Sequence, residues 1–252
     1  MVAAAIAGAL TTAPLCAQES RSDSDPTRPI LFSVRPEFYS IGDGIWRAQV
    51  VARYDTAVVR QRRWFSGRRG MLLRFEVPFV SADTPSIESQ AGLGDAYGQV
   101  LVVPHLSARF AFVGGSGLSF PTATDTALGT GKWVLSPAIA PVWFLRGRGM
   151  FYVKVQNFSS VAGDAARPGV NFLLITPTLI TTSGRRRWIL VDSETKTDWN
   201  NGNKTSVKSG VQFGWLLPDG LGFWIKPEAA WGPNSGGQWN LKTGIVWYRN
   251  GG

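Results

Sequence analysis

The residues of this 252-residue chain whose types and spacing best suit covalent chemistry are His105 and Ser107. Side chains at positions i and i+2 lie on the same face of a β-strand, so an imidazole and a serine hydroxyl could meet there. The imidazole would accept the serine proton, and a third group would have to orient it for nucleophilic catalysis. Pro104 and the short segment after it place the pair in a turn, where a solvent-exposed histidine is the simpler interpretation.

A family pattern bears on this pair. Outer-membrane phospholipases carry a His and a Ser with this spacing in a twelve-stranded barrel, but Asn-Gly-Arg follows the serine directly in that family. Here Ala108 and Arg109 follow Ser107. An outer-membrane lipid hydrolase is therefore an alternative without its defining motif, and we predict that the protein is not an enzyme.

Composition argues against two further classes of site. One Cys and one His exclude a Cys-rich or His-rich metal cage, and we expect neither a metal nor a cofactor. The net charge of +9 raises the question of a nucleic-acid partner. Lys and Arg are spread along the chain instead of gathering in a patch, so we expect no nucleic-acid binding.

Asp95 is the most distinctive acidic residue of the chain. It shares strand parity with Tyr97 and Gln99, which predicts that all three side chains point to the same polar side. We expect Asp95 to lie in the interior within reach of Arg74 and Arg109 on the neighbouring strands. This polar cluster is expected to be a structural ion pair rather than a substrate ligand.

The elements that must position these residues are β-strands, because hydrophobicity repeats with a period of two from Ile30 onward. Apolar residues alternate with Arg, Lys, Glu, Asp and Gln along most of the segments. The pattern predicts an all-β protein whose twelve strands span 31–39, 45–64, 70–80, 94–103, 108–119, 132–145, 149–157, 170–182, 187–197, 205–217, 222–231 and 238–248.

The connections between these strands alternate in length. Short ones are predicted at 66–69, 104–107, 146–148, 183–186 and 218–221, and longer ones at 81–93, 120–131, 158–169, 198–204 and 232–237. Tight turns at one end and longer loops at the other are typical of an up-and-down transmembrane β-barrel with its short turns in the periplasm. A soluble β-sandwich or lipocalin-like barrel also alternates and is the competing interpretation.

The tryptophans favour the membrane barrel, because amphipathic aromatics collect at the two membrane interfaces. They form two predicted rings. Those near the short-turn ends are Trp64, Trp143, Trp188, Trp215, Trp224 and Trp247, and those near the long-loop ends are Trp46, Trp133, Trp199, Trp231 and Trp239. We therefore predict a single twelve-stranded antiparallel barrel, monomeric and surrounded by lipid in the outer membrane of a Gram-negative bacterium.

The N-terminus predicts how the chain reaches that membrane. Residues 1–17 are apolar and end on a small residue, which is typical of a secretory signal peptide. Residues 18–30 are polar and Pro-containing and are expected to form a flexible lead-in, so the barrel itself would span residues 31–248.

Three glycine-containing segments resemble a known family. They are Gly92–Asp95 (GLGD), Gly117–Thr122 (GLSFPT) and Leu128–Trp133 (LGTGKW). Together they resemble outer-membrane barrels known as meta-pathway phenol-degradation transporters, which are distantly similar to the long-chain fatty-acid transporter class. The resemblance implies uptake or permeation of small, hydrophobic or aromatic molecules.

A hydrophobic solute would need an apolar pocket near the extracellular mouth. Five residues that flank the long loops are its expected lining: Phe120, Leu128, Trp133, Phe158 and Val161. Each could equally pack one loop against another. A structural or surface-binding barrel with a plugged lumen therefore remains the alternative function, since inward polar residues of both signs suit an open or a closed interior.

Overall fold

The computed structural model describes Leu31 to Tyr248 except residues 43–44, 59–69, 85–86, 147–148, 184–185, 218–219 and 234–237. The predicted signal peptide and lead-in, residues 1–30, lie outside the described residues, as does Trp64. Within the described part, none of the helical segments has the length and apolar character that crossing a bilayer requires.

Antiparallel β-strands make up nearly all of the described chain, as the period of two predicts. The strands are β1 (Phe32–Gly42), β2 (Ile45–Val58), β3 (Met71–Thr84), β4 (Ile87–Leu93), β5 (Ala96–Leu106), β6 (Phe110–Phe120), β7 (Lys132–Leu145), β8 (Gly149–Gly163), β9 (Asn171–Ser183), β10 (Arg187–Asp198), β11 (Lys204–Leu216), β12 (Leu221–Trp231) and β13 (Trp239–Trp247). A short 3₁₀ turn, Trp199–Asn201, joins β10 to β11.

The sheet closes on itself because β1 pairs with both β2 and β13. Phe32 lies opposite Tyr54 on one side and Trp247 on the other. From β5 to β13, consecutive strands pair with each other. Pairing of β1 with β13 joins the two sides of the sheet, as a sheet in lipid requires. Among the described strands, the short β4 pairs with β3 alone.

The fourth strand of the barrel is made of two parts. β4 pairs with the upper part of β3 through Phe79 and Leu93, and β5 pairs with the lower part, from Met71 opposite Val102. Gly94 and Asp95 separate the two parts. The thirteen strands therefore build a twelve-stranded barrel, which confirms the predicted fold class, although the predicted strand 94–103 misses β4.

The outer surface of the barrel is apolar. Along β7, buried and exposed residues alternate, and the exposed ones include Trp133, Leu135 and Ile139, the last 49% exposed. Such a belt of exposed aliphatic and aromatic side chains suits a bilayer and not water, which argues against the soluble barrel.

Aromatic side chains mark both ends of this belt. We call the end with the short connections periplasmic and the other end extracellular. Exposed tryptophans lie near the periplasmic end at 143, 215 and 247, and near the extracellular end at 133, 199, 231 and 239. Trp46 stacks on Phe38 at the extracellular end with the ring centroids 6.1 Å apart. The two rings therefore form, with fewer members than predicted.

The assignment of Trp188 and Trp224 to these rings is wrong, because both indoles lie inside the barrel and are 2% exposed. Trp188 lies directly opposite Gly214, and Trp224 lies opposite Gly244. A Cβ atom at Gly214 would lie 1.9 Å from the Trp188 ring, and one at Gly244 would lie 2.3 Å from the Trp224 ring. The glycines thus give the indoles the space that an inward position requires.

The lipid-facing belt generates a stability prediction. Ile139 lies midway along β7, so Ile139→Arg should lower the free energy of unfolding in vesicles by about 2–4 kcal/mol, because a guanidinium would face hydrocarbon. Val161→Arg, near the extracellular end of β8 and already 61% exposed, is the control and should change it little. Urea unfolding of the refolded protein measures both. Equal stability of the two variants would contradict this orientation of β7.

Candidate functional site

The strand residues that point inward enclose a cavity of about 500 Å³. We call it the lumen cavity. Alternation along the strands explains its composition, because every second residue of each strand faces the interior. The charged side chains that line it in the described part of the chain are Arg35, Arg53, Arg74, Lys154, Lys226 and Lys242, with Glu37, Glu76, Asp192 and Glu194.

Ion pairs connect acidic and basic side chains within and between strands β10 to β13. The Lys226 ammonium lies 2.6 Å from the Asp192 carboxylate and 2.9 Å from that of Glu228. Lys242 reaches the second oxygen of Glu228 at 3.1 Å, and Lys208 lies 3.0 Å from Glu194. Each of these three lysines is therefore neutralised by an acidic neighbour.

A second set of ion pairs lies on β1, β2 and β3. The buried Asp55 carboxylate accepts hydrogen bonds from Arg53 at 2.5 and 3.0 Å and from Arg74 at 3.1 and 3.3 Å. Glu37 accepts hydrogen bonds from Arg35, Tyr39 and, at 2.6 Å, from Gln49. These networks hold the side chains in place, because a side chain that moved away would leave its partner's buried charge uncompensated.

The periplasmic half of the interior is filled by apolar side chains, which we call the apolar floor. One group comprises Leu72, Leu101, Ala111, Val113, Ala140, Val142, Met150, Tyr152, Ile180 and Leu190, and a second comprises Trp188, Leu216, Trp224 and Val246. Leu101, Val113 and Trp224 also line the lumen cavity. The cavity is thus polar around its walls and apolar where it meets the floor.

The predicted cluster of Asp95, Arg74 and Arg109 does not form. The Asp95 carboxylate accepts hydrogen bonds from the Thr130 amide at 2.6 Å, the Thr130 hydroxyl at 2.7 Å and the Ala123 amide at 3.3 Å. It therefore holds the loop 121–131 at the extracellular end.

The two arginines of that predicted cluster are engaged elsewhere. Arg74 pairs with Asp55, and Arg109 is exposed in the periplasmic turn between β5 and β6. The prediction is wrong because Asp95 lies in the break between β4 and β5. Strand parity does not govern its direction there, and the loop amides lie closer than any arginine of the lumen.

The five residues predicted to line a ligand pocket separate into different environments. Phe158 lines the lumen cavity and stacks on Phe172 with the ring centroids 4.7 Å apart. Leu128 is buried beside Gly92 and Gly94, where it packs the loop against the barrel.

The other three lie outside the cavity. Phe120 and Trp133 pack edge to face, 5.3 Å apart, and Trp133 belongs to the lipid-facing belt. Val161 is 61% exposed. Of the proposed lining, the structure therefore brings only Phe158 to the lumen cavity.

Of the His105 and Ser107 pair, only Ser107 lies in the turn, because His105 belongs to β5 and pairs with Phe112. The Ser107 hydroxyl donates to the Phe110 carbonyl at 2.8 Å and accepts from the Phe110 amide at 3.0 Å. His105 is exposed, with its ring centroid 5.9 Å from that of Phe110. Both hydrogen bonds of the Ser107 hydroxyl are thus used within the turn, and His105 is solvent-exposed, as expected from the sequence.

Several residues of the lumen were not predicted from the sequence. Arg35 and Glu37 were missed, although Ser33, Arg35, Glu37 and Tyr39 carry the period of two that would have shown an inward polar face of β1. Thr176 was missed because a threonine fits either face of a strand.

Comparison with known proteins establishes the fold. No protein-family model matches the chain, and no curated protein does. Among solved structures, the COG4313 outer membrane channel from Pseudomonas putida F1 superimposes with a TM-score of 0.67 at 12% identity, over 88% of this chain and 97% of that one.

Two further solved structures share the fold. The KdgM porin gives a TM-score of 0.54 at 8% identity over 87% of this chain and 99% of that one, and it has also been solved in complex with disordered oligogalacturonate. The β domain of the Bordetella autotransporter BrkA gives 0.51 at 10% identity over 88% of this chain and all of that one (100%).

The chain therefore has the fold of bacterial outer-membrane barrels. That fold and the apolar belt together confirm the predicted outer-membrane location. At these identities the similarity concerns architecture, and it does not assign the chain to the phenol-degradation transporter family.

The loop contacts of Asp95 generate a second prediction. In Asp95→Ala the Thr130 amide loses its acceptor, so its hydrogen exchange should become about 10 to 100 times faster, as expected when a charge-assisted hydrogen bond is lost. Asp125→Ala is the control, since the Asp125 carboxylate accepts from the Ala127 amide and the Thr126 hydroxyl within the loop. Unchanged protection of Thr130 in Asp95→Ala would show that the loop docks without this carboxylate.

Proposed function

We propose that the protein is an outer-membrane channel for the permeation of small organic molecules, which enter the lumen cavity from the extracellular side. The observation that carries this proposal is the cavity of about 500 Å³, lined by charged side chains of both signs. A volume of this size accommodates a small organic solute. The polar walls offer hydrogen-bond partners that replace water around such a solute.

The comparisons support a channel. The COG4313 protein and the KdgM porin are both channel proteins by name, and their barrels span nearly the whole of this one. The KdgM porin complex contains an oligogalacturonate. This shows that a barrel with this architecture can accommodate an organic solute.

The solute class combines two indications. The resemblance of three segments to phenol-degradation transporters points to hydrophobic or aromatic molecules. The stacked rings of Phe158 and Phe172 offer an aromatic surface at the extracellular side of the lumen. The apolar floor offers a second apolar surface at the periplasmic side. The ionised walls add a requirement for at least one polar group, so we propose amphipathic solutes with an aromatic or aliphatic body.

Passage to the periplasm requires the apolar floor to move. Ala111, Val142, Ile180 and Val246 have no exposed surface. Because these are side chains on a rigid closed sheet, a path opens by rotamer changes and not by separation of strands. The floor is thus the barrier that limits permeation in this proposal.

The packed floor also favours a second candidate, a surface-binding barrel whose lumen never conducts. The two candidates predict different electrical behaviour. A channel gives discrete conductance steps when the refolded protein inserts into a planar bilayer, whereas a plugged barrel gives none while still inserting.

A matched pair of tryptophan variants tests the barrier. Trp224→Ala removes a buried ring from the floor, so single-channel conductance should rise severalfold because the narrowest part widens. Trp215→Ala removes a ring from the lipid-facing surface and should leave conductance unchanged. Circular dichroism and heat-modifiable gel mobility confirm folding of each variant. Measurable conductance that is equal in folded Trp224→Ala and wild type would show that Trp224 does not form the barrier. No conductance in either protein would favour the surface-binding barrel.

A further inference from the structure

Lys154 differs from the lysines of the β10–β13 arc in lacking a close acidic partner. Lys226 and Lys242 share Glu228, and Lys208 pairs with Glu194. Lys154 also lines the lumen cavity, yet among the described residues no carboxylate oxygen lies within 4.0 Å of its ammonium. Glu194, Glu76 and Asp192 act on this ammonium from beyond contact distance. An ammonium removed from bulk water without a carboxylate in direct contact is costly, and an anion that enters the cavity would relieve that cost.

Thr176 provides a second unused group at the same place. It lies directly opposite Lys154 on the neighbouring strand β9 and also lines the cavity. Its side chain is 8% exposed, and its hydroxyl oxygen is buried without a hydrogen-bond partner. Buried hydroxyls are nearly always hydrogen-bonded, so an unsatisfied one on the residue that pairs with Lys154 points to a missing acceptor.

The residues around Lys154 and Thr176 indicate the size and polarity of the rest of the ligand. Towards the periplasmic end lie Tyr152, Val113 and Ala140 of the apolar floor, and Phe158 lies on the extracellular side of Lys154 along β8. Alanines at 138 and 140 on β7 keep the wall next to β8 free of bulky side chains. An apolar group of modest size therefore fits beside the ammonium.

We propose that Lys154 and Thr176 form a binding site for the carboxylate of a small organic acid, whose apolar body packs against the floor. The ammonium and the hydroxyl supply two donors for the two carboxylate oxygens. This inference rests on the proposed function, since it names the solute class of the same cavity. A phosphate dianion fits less well, because it needs more positive charge than one unpaired lysine supplies.

Calorimetric titration of the refolded protein in detergent tests the site, with benzoate as the probe. Wild type should bind benzoate, and Lys154→Met should bind it at least about tenfold more weakly, because a charge-assisted hydrogen bond is lost. Thr176→Val should weaken binding by about threefold, as for a neutral hydrogen bond. Benzyl alcohol, which has the ring without the charge, should bind about as weakly to wild type as benzoate does to Lys154→Met.

Lys196→Met is the matched control. It removes the same charge from the inward face of β10. Lys196 lies 3.6 Å from Asp198 and 4.5 Å from the centre of the Phe172 ring, so it already has partners. This variant should bind benzoate within about twofold of wild type, since a distant charge is screened by salt. Lys154→Met should also fold at least as well as wild type, because it replaces an unpaired ammonium by an apolar side chain of similar length.

Three results would overturn the site. These are equal benzoate affinity in wild type and folded Lys154→Met, equal affinity of wild type for benzoate and benzyl alcohol, and tighter binding of inorganic phosphate than of benzoate. The channel proposal fails separately. Benzoate binding that depends on Lys154 in a protein without conductance keeps the site and removes the channel, whereas conductance without such binding removes the site alone.

Discussion

Closure of the sheet through β1 and β13 is the constraint on which the rest of the structure depends. Hydrocarbon offers no hydrogen-bond partner to a backbone amide, so every strand must have two neighbours. The pairing of Phe32 with both Tyr54 and Trp247 supplies the last of these contacts. Once the cylinder is closed, alternate residues of each strand face lipid or the interior. The alternation of apolar and polar residues in the sequence therefore matches each side chain to the environment that it faces.

The interior must then satisfy the polar groups that alternation places there. It does so differently at its two ends. Towards the extracellular side, carboxylates and basic groups neutralise each other, as Glu228 does with Lys226 on its own strand and with Lys242 on the adjacent one. Towards the periplasmic side, apolar residues occupy the inward positions, and two indoles lie over glycines. The price of this packing is that the Trp188 and Trp224 ring nitrogens are buried without a hydrogen-bond partner.

The fold could be predicted from the sequence because it depends on a local repeat. The predicted strand 132–145 coincides with β7, where alternation is uninterrupted from Lys132 to Leu145. Loop lengths and exposed tryptophans supplied the membrane orientation, since both follow from the same local pattern. These inferences needed no knowledge of which residue lies opposite which.

The predicted contacts failed where local parity did not apply. Asp95 lies in a break between strands, so its carboxylate turns to the amides of loop 121–131 instead of to Arg74. Trp188 and Trp224 were assigned by their distance from strand ends, although Trp188 shares strand parity with Asp192 and Trp224 with Lys226, which places both indoles inside. What parity does not give is the glycine that lies opposite each indole. Those pairings are a matter of cross-strand register, which single strands do not encode.

In the proposed channel, the interior and not the barrel wall determines which solutes pass. Twelve strands enclose a narrow space, so inward side chains decide whether any path exists. The backbone is held by hydrogen bonds around the whole circumference, while the floor is held by contacts among side chains such as Met150, Ile180 and Leu190. Rearranging those side chains leaves every backbone hydrogen bond intact. Opening is therefore a property that sequence changes at inward positions can adjust without loss of the fold.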